Sequence, residues 1–315
     1  MSAQTSVASS HERVRPSSAP TGWQGWVLVA PFLLCFGVFS LWPLLNAARL
    51  ATQQTYGPGF SRFVGLENFS QLLRDPMFWT ALKNTSSFTL LSVLVQMPLA
   101  LGLAMLLNRP GLRGRGFMRL ILFSPVLVGV VFTAMIFAVL LEKRTGLINI
   151  ALHQAIGWDL DFAWLERGVM SSLVLATAWQ YTGFNMVYFL AALQTVPEEL
   201  KQAARLDGAG PWARFRHVTL PAIRPVAMFV VLLCIIGSFQ VFELPYILLN
   251  GGAGPDNRGL TLVMYLYQTG FQTGDLGYAA AIGWMLALIL ATFGIAQRVL
   301  ASRHERMMGG TGGGA

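Results

Sequence analysis

Charge is scarce in this chain, and the common catalytic and metal-binding motifs are missing. Only 11% of its 315 residues are Asp, Glu, Lys or Arg, whereas soluble domains carry about 25%. There is no GxxxxGKS/T phosphate loop, no HExxH, no GxSxG and no CxxC. Those absences remove the signatures of P-loop nucleotide hydrolysis, zinc proteolysis, nucleophile-elbow hydrolysis and dithiol chemistry. The two cysteines, Cys35 and Cys234, both sit in apolar runs and read as small hydrophobes, not as a disulfide framework. His11, His153, His217 and His304 are scattered over loops and tails, where solvated imidazoles are expected and a metal site is not. Five long stretches, Gln24–Ala48, Asn84–Asn108, Leu120–Leu141, Gly168–Pro197 and Leu276–Gln297, contain no charge. A sixth, Pro225–Pro255, is broken only by Glu243. A membrane-embedded enzyme would need paired ionisable groups at depth, and Glu243 has no second.

What remains is apolar. Hydrophobic residues make up 54% of the chain, and the mean hydropathy is +0.55. A helix needs about 20 apolar residues to cross the hydrocarbon. The uncharged stretches therefore predict an all-α membrane protein with six transmembrane helices, near 24–48, 84–108, 118–141, 168–196, 222–249 and 276–298. A transmembrane β-barrel would alternate apolar and polar residues in segments of about ten, and these runs do not alternate. The first run follows Arg13 and Arg15. Its apolar core exceeds the roughly 7–15 residues of a signal h-region and no persuasive cleavage site follows, so it reads as a retained helix.

Of the 22 Lys and Arg, 14 fall in the N-terminal tail, the 108–119 loop, the 197–224 loop and the C-terminal tail. By the positive-inside rule both termini are cytoplasmic. The net charge of +8 then expresses topology and contact with anionic lipid headgroups, and nucleic acid is not an expected partner. Residues 1–22, rich in Ser, Ala and Pro, and 309–315, GGTGGGA, read as disordered; 1–22 and the Gly-rich 301–315 read as cytoplasmic tails flanking a membrane domain over 23–300. In the outer segment GLENFSQLLRDPMFWTAL, Leu66, Phe69, Leu72 and Leu73 recur at helical spacing, followed by Met77, Phe78, Trp79 and Leu82. A short amphipathic helix at the outer interface is predicted.

One cytoplasmic loop departs from this background. LKQAARLDGAGPWARFRHVTLPAIRP, Leu200 to Pro225, carries Lys201, Arg205, Arg214, Arg216 and Arg224 between two apolar runs. Thr195 and Glu198 stand in the S/T-x-x-E relation of a capping box, which predicts a helix from Val196 to about Leu206. Gly208 and Gly210 permit a reversal, and Pro211 suits the first turn of a second helix. Trp212 and Phe215, three apart, share a face of it. Leu220-Pro221 would then restart the chain as the fifth span. Such a pair is either an interfacial loop, with arginines on phosphates and aromatics among headgroups, or an element inserted into a partner.

This loop resembles the EAA motif of the membrane subunits of binding-protein-dependent ABC importers, EAA-x3-G-x9-I-x-L-P. Gln202, Ala203 and Ala204 stand at EAA, Gly208 follows at the right interval, Val218 stands at Ile, and Leu220-Pro221 close it. The run Asp207-Gly208-Ala209 is also typical. The family's glutamate is Gln202 here, so the resemblance implies no salt bridge from that position. FVGLENFSQLLRDPMFWTALKNT (63–85), RGRGFMRLILFSP (113–125), WQYTGFNMVYFLAALQTVPEEL (179–200) and FQVFELPYILLNGGAGPDN (239–257) resemble the carbohydrate-uptake branch that includes maltose and glycerol-3-phosphate permeases. Glu243 stands where that branch commonly has Asp. The likeness covers roughly residues 25–300.

The resemblance implies a type I ABC importer permease (MetI-like) fold in a bacterial-type inner membrane. It implies a second homologous permease subunit, two cytoplasmic ATPase subunits that bind ATP and Mg, no cofactor on this chain, and an extracytoplasmic binding protein that delivers a sugar or polyol. Coupling helices would lie in 197–221. Gln202 and Asp207 would belong to the joint, Gly208 would bend it, and Ala203, Ala204 and Ala209 would allow close fit. Trp212 and Phe215 would fill the ATPase groove, and Leu220-Pro221 would carry movement into the fifth span. For the solute pathway the residues themselves offer Glu243, Gln240 and Tyr246 in the fifth span, with Gln180, Tyr181, Asn185 and Tyr188 in the fourth. A carboxylate at mid-span costs about 2.5–3.5 kcal/mol and usually faces a wet interior. Amide, carboxylate and aromatic groups suit hydroxyl-rich solutes; they serve equally well as interhelical hydrogen bonds. The alternative is an ion-gradient-driven secondary transporter with Glu243 as proton carrier. It would favour inverted repeats and helices broken at mid-depth, and neither is evident in the sequence.

Overall fold

The computed structural model describes residues 22–55, 59, 61–109, 111–157 and 161–309. The tail expected over 1–22 lies outside them apart from Gly22, as do 310–315 of the C-terminal tail. The chain divides into two compact units, Met1–Arg49 and Leu50–Ala315. In the first, α1 (Gly25–Ala51, its last two residues in the second unit) contains Pro31 and a π-helical turn at Gly37–Leu41. Its apolar side chains are exposed, Leu28 at 79% and Phe39 at 78%, a surface suited to lipid tails as apolar as itself.

The second unit opens with an antiparallel hairpin, β1 (Gln53–Thr55) and β2 (Ser61–Phe63), followed by the amphipathic α2 (Glu67–Arg74). Buried Asn68 fastens α2 by donating to the carbonyls of Ala51 at 2.8 Å and Gln53 at 2.9 Å. Asp75 then caps α3 (Pro76–Leu107), accepting the Met77 N–H at 2.8 Å, with Pro76 in the first turn where no N–H is missed. The amphipathic stretch expected over Leu66–Leu82 therefore divides, because its second half begins α3.

The expected third span is broken. α4 (Arg115–Leu127) and α5 (Val130–Leu140) meet at 96°. Pro125 in the last turn of α4 removes a donor, and Val128 is extended (φ −77°, ψ 120°), so the helix cannot continue. The next segment holds α6 (Leu147–Ile156) and the single turn α7 (Trp164–Arg167). α8 (Val169–Thr195) packs against α3, α4 and α5. A Cβ on Gly183 of α8 would overlap the Leu122 carbonyl, so α4 crosses α8 backbone to backbone there.

α9 (Glu198–Leu206) leads into α10 (Pro211–Phe239). Two expectations fail in this region. The capping box does not form: Pro197 occupies the N-cap, and the Thr195 hydroxyl donates instead to the Ala192 carbonyl at 2.9 Å. Nor does the chain restart at Leu220-Pro221, because α10 runs unbroken from the 197–221 loop into the span. A π-helical turn at Phe215–Thr219 absorbs Pro221 by sending the Leu220 N–H back to the Phe215 carbonyl.

The fifth span also ends earlier than 249. α10 stops at Phe239, and Glu243 opens a separate short helix, α11 (Glu243–Leu248). After α12 (Leu262–Tyr267) and a π-helical turn at Gln268–Gln272, α13 spans Leu276–Gly309, passing the expected boundary at 300. Among the described residues, four helices are long and apolar enough to cross a membrane, α1, α3, α10 and α13, or five with the bent α4–α5 pair. α8 occupies the remaining predicted stretch with 27 uncharged residues, about 40 Å of helix. It is less apolar because it carries Ser172, Gln180 and Asn185, all buried. Around it the core gathers Ala100 and Ala104 of α3, Met186 and Phe189 of α8, and Ile223 and Val230 of α10. The small α3 residues let the helices approach closely.

Candidate functional site

The basic loop is built around a left-handed glycine. Gly208 has φ +75°; its N–H donates to the Arg205 carbonyl at 3.1 Å, and the Ala209 N–H to Ala204 at 2.9 Å. That pair of bonds is the Schellman closure of α9, which requires a residue free of Cβ strain at Gly208. Gln202, Ala203 and Asp207 are exposed and Ala204 is half-buried. Beyond the turn, Trp212 and Phe215 stand 5.4 Å apart between ring centroids. Leu206 is 89% exposed and Trp212 70%, an apolar tip that a lone soluble loop would hide. Glu198 steadies α9 through Lys201 at 3.1 Å. Leu220 and Pro221 sit within continuous helix, so the loop and the fifth span share one rod.

The second place is a cavity of about 720 Å³ among α3, α8 and the α10–α11 break. It brings together Gln180, Asn185 and Tyr188 from α8 with Gln240 and Glu243 from the break. Gln180 donates to the Val128 carbonyl at 3.1 Å, so the group freed by the α4–α5 bend finds its partner in the cavity wall. Asn185 donates to Oε1 of Gln96 at 3.2 Å. Tyr188 lies against Phe184 and Phe229. Glu243 is exposed, at a helix break and not inside a closed span.

Tyr246 does not reach this wall. It lies on α11 among the rings of Phe242 and Tyr267. Tyr181, the remaining fourth-span candidate, lines the same cavity, and sequence reading missed Gln96 of α3 and Thr177 of α8, which line it too. Gln96 is buried to 2% exposure, and its amide, the one between Asn84 and Asn108 in a charge-free run, was the available signal.

Apolar helices, broken twice around a polar cavity and extended into an exposed helical hairpin, define a helical membrane permease with the MetI-like fold. The chain belongs to the family of binding-protein-dependent transport system inner membrane components, which matches residues 96–306. It is 38% identical over 286 residues to the arabinooligosaccharides transport system permease protein AraP of Halalkalibacterium halodurans, covering 89% of this chain and 88% of that one. The lactose transport system permease protein LacF of Rhizobium radiobacter is 33% identical, with 89% and 95% covered. The sn-glycerol-3-phosphate permease protein UgpA of Yersinia pestis is also 33% identical, with 90% and 96% covered. Among solved structures, a bacterial alginate ABC transporter in complex with alginate pentasaccharide-bound periplasmic protein superposes with TM-score 0.76 at 23% identity. That match covers 89% of this chain and 94% of the other, and it supports the fold. The protein is thus the permease component of an ATP-driven importer served by a binding protein. The ion-gradient alternative gives way to this, and broken helices, expected only of that alternative, prove common to both.

Proposed function

We propose that the chain forms half of a translocation pathway for a sugar or related polyol, beside a second homologous permease and above two ATPase subunits. Both termini face the cytoplasm, and ATP and Mg bind only to the ATPases. The observation that carries the solute reading is the convergence of Gln180, Asn185, Tyr188, Gln240 and Glu243 on one cavity of about 720 Å³, within the size range of small-molecule sites. Amide and carboxylate groups accept and donate to hydroxyls, and the tyrosine and phenylalanine rings offer faces to C–H surfaces. The relatives' transport of arabinooligosaccharides, lactose and sn-glycerol 3-phosphate supports the same solute class.

Energy reaches this cavity through the 197–221 loop. Ala203, Ala204 and Ala209 allow close approach, Trp212 and Phe215 anchor in the ATPase groove, and Gln202 and Asp207 hydrogen-bond at its rim. Closure of the ATPase dimer pulls on α10, whose unbroken course through Leu220-Pro221 delivers the motion to Gln240 and Glu243. The test is uptake by proteoliposomes holding the complete importer. Glu243→Gln and Asn185→Ala are expected to lower uptake about tenfold, the effect of about 1.4 kcal/mol, while ATP hydrolysis persists. Unchanged uptake in both removes the cavity from the pathway.

A further inference from the structure

Ring contacts continue out of the cavity. Phe242, which lines it beside Glu243, stacks on Tyr246 at 5.2 Å between centroids and meets Tyr267 at 4.9 Å. Tyr246 and Tyr267 are 5.4 Å apart, and Tyr267 stacks on Phe271 at 5.5 Å. Four rings from two separate segments thus form an unbroken strip. Burial falls along it: Phe242, Tyr246 and Tyr267 are half-buried, and Phe271 is 71% exposed. The backbone holds the strip open. The π-helical turn at Gln268–Gln272 seats on α13 through Gly270, where a Cβ would come within 2.9 Å of the Ala279 Cβ. The next residue, Phe271, stays uncovered. π turns of this kind recur at functional sites because they re-aim one side chain.

We propose that these four rings are a second solute-contact site, a track on which the C–H face of a furanose or pyranose stacks on its way to the cavity. The track rests on the sugar reading above. A sugar ring presents apolar C–H bonds on one face and hydroxyls around its edge. Aromatic faces carry the negative side of the ring quadrupole and attract such C–H groups. At the inner end the hydroxyls meet Gln240 and Glu243 as stacking on Phe242 ends. The strip is longer than one sugar ring, so an oligosaccharide keeps a ring on it while its leading unit enters the cavity.

In proteoliposomes holding the complete importer, uptake of arabinotriose and lactose is measured beside binding-protein-stimulated ATP hydrolysis, with sn-glycerol 3-phosphate as a ringless probe. Tyr267→Leu and Phe271→Leu are expected to lower uptake of the ring-bearing probes that wild type carries by about three- to tenfold. Phe271→Trp keeps it, and ATP hydrolysis and co-purification with the partner permease stay at wild-type level. Unchanged uptake in both leucine variants overturns the track. So does an equal fall in ATP hydrolysis or co-purification, which assigns the rings to subunit or lipid packing. If wild type carries neither arabinotriose nor lactose, the sugar reading itself fails, and the track with it.

Discussion

Two glycines carry opposite kinds of constraint. Gly208 has open space around it but a left-handed backbone, so side-chain bulk is not the first obstacle; the φ of +75° costs an L-residue about 1–2 kcal/mol. Gly208→Trp also adds a large ring at the tip proposed to dock. Insertion and folding of the span are expected to persist while uptake falls on the order of tenfold, measured against membrane abundance of the variant. Normal transport by that variant would count heavily against docking through this loop. Gly183 has ordinary helical backbone and no space, because the Leu122 carbonyl occupies the Cβ position. Gly183→Val is expected to destabilise by more than the usual 1–3 kcal/mol of overpacking, since backbone and not a side chain must yield. A lowered thermal denaturation midpoint in detergent checks it. Gly208 was readable from its place in QAARLDGAGP. Gly183 was not, since nothing in a run of α8 residues says which helix crosses it.

At the scale of elements, charge-free runs locate helices but not their breaks. The bend between α4 and α5 has a visible cause in Pro125 and Gly129, yet Pro98 sits inside α3 without breaking it. The difference lies in tertiary partners: the Val128 carbonyl freed by the bend is satisfied by Gln180 from α8. The end of α10 at Phe239 is equally invisible in sequence, and it turns Glu243 from a buried charge into an exposed one. A further junction ties three elements together. Asp75 caps α3 and accepts hydroxyls from Tyr265 of α12 and, at 2.8 Å, from Tyr278 of α13. Asp75→Ala removes a cap and strands two hydroxyls, a loss on the order of 2–4 kcal/mol. Asp75→Asn, which keeps an acceptor, is expected to lose less. Equal denaturation midpoints for Asp75→Ala and wild type would show that the junction contributes nothing.

For the whole molecule, composition and the spacing of one loop were enough to read a helical importer permease. The cavity was half legible. Polar residues in α8 and at the end of α10 stood out against apolar neighbours, but Gln96 of α3 and the position of Tyr246 away from the cavity wall depend on packing that only the folded bundle determines. In the proposed function these parts form one machine, in which a chain without its own phosphate loop receives work at 197–221 and spends it moving a sugar past Glu243. Its most direct test is uptake by the complete importer in proteoliposomes with binding protein outside, ATP inside and no ion gradient. The account predicts sugar accumulation that stops when ATP is withheld. Transport that proceeds without ATP and requires only a proton or sodium gradient would contradict it.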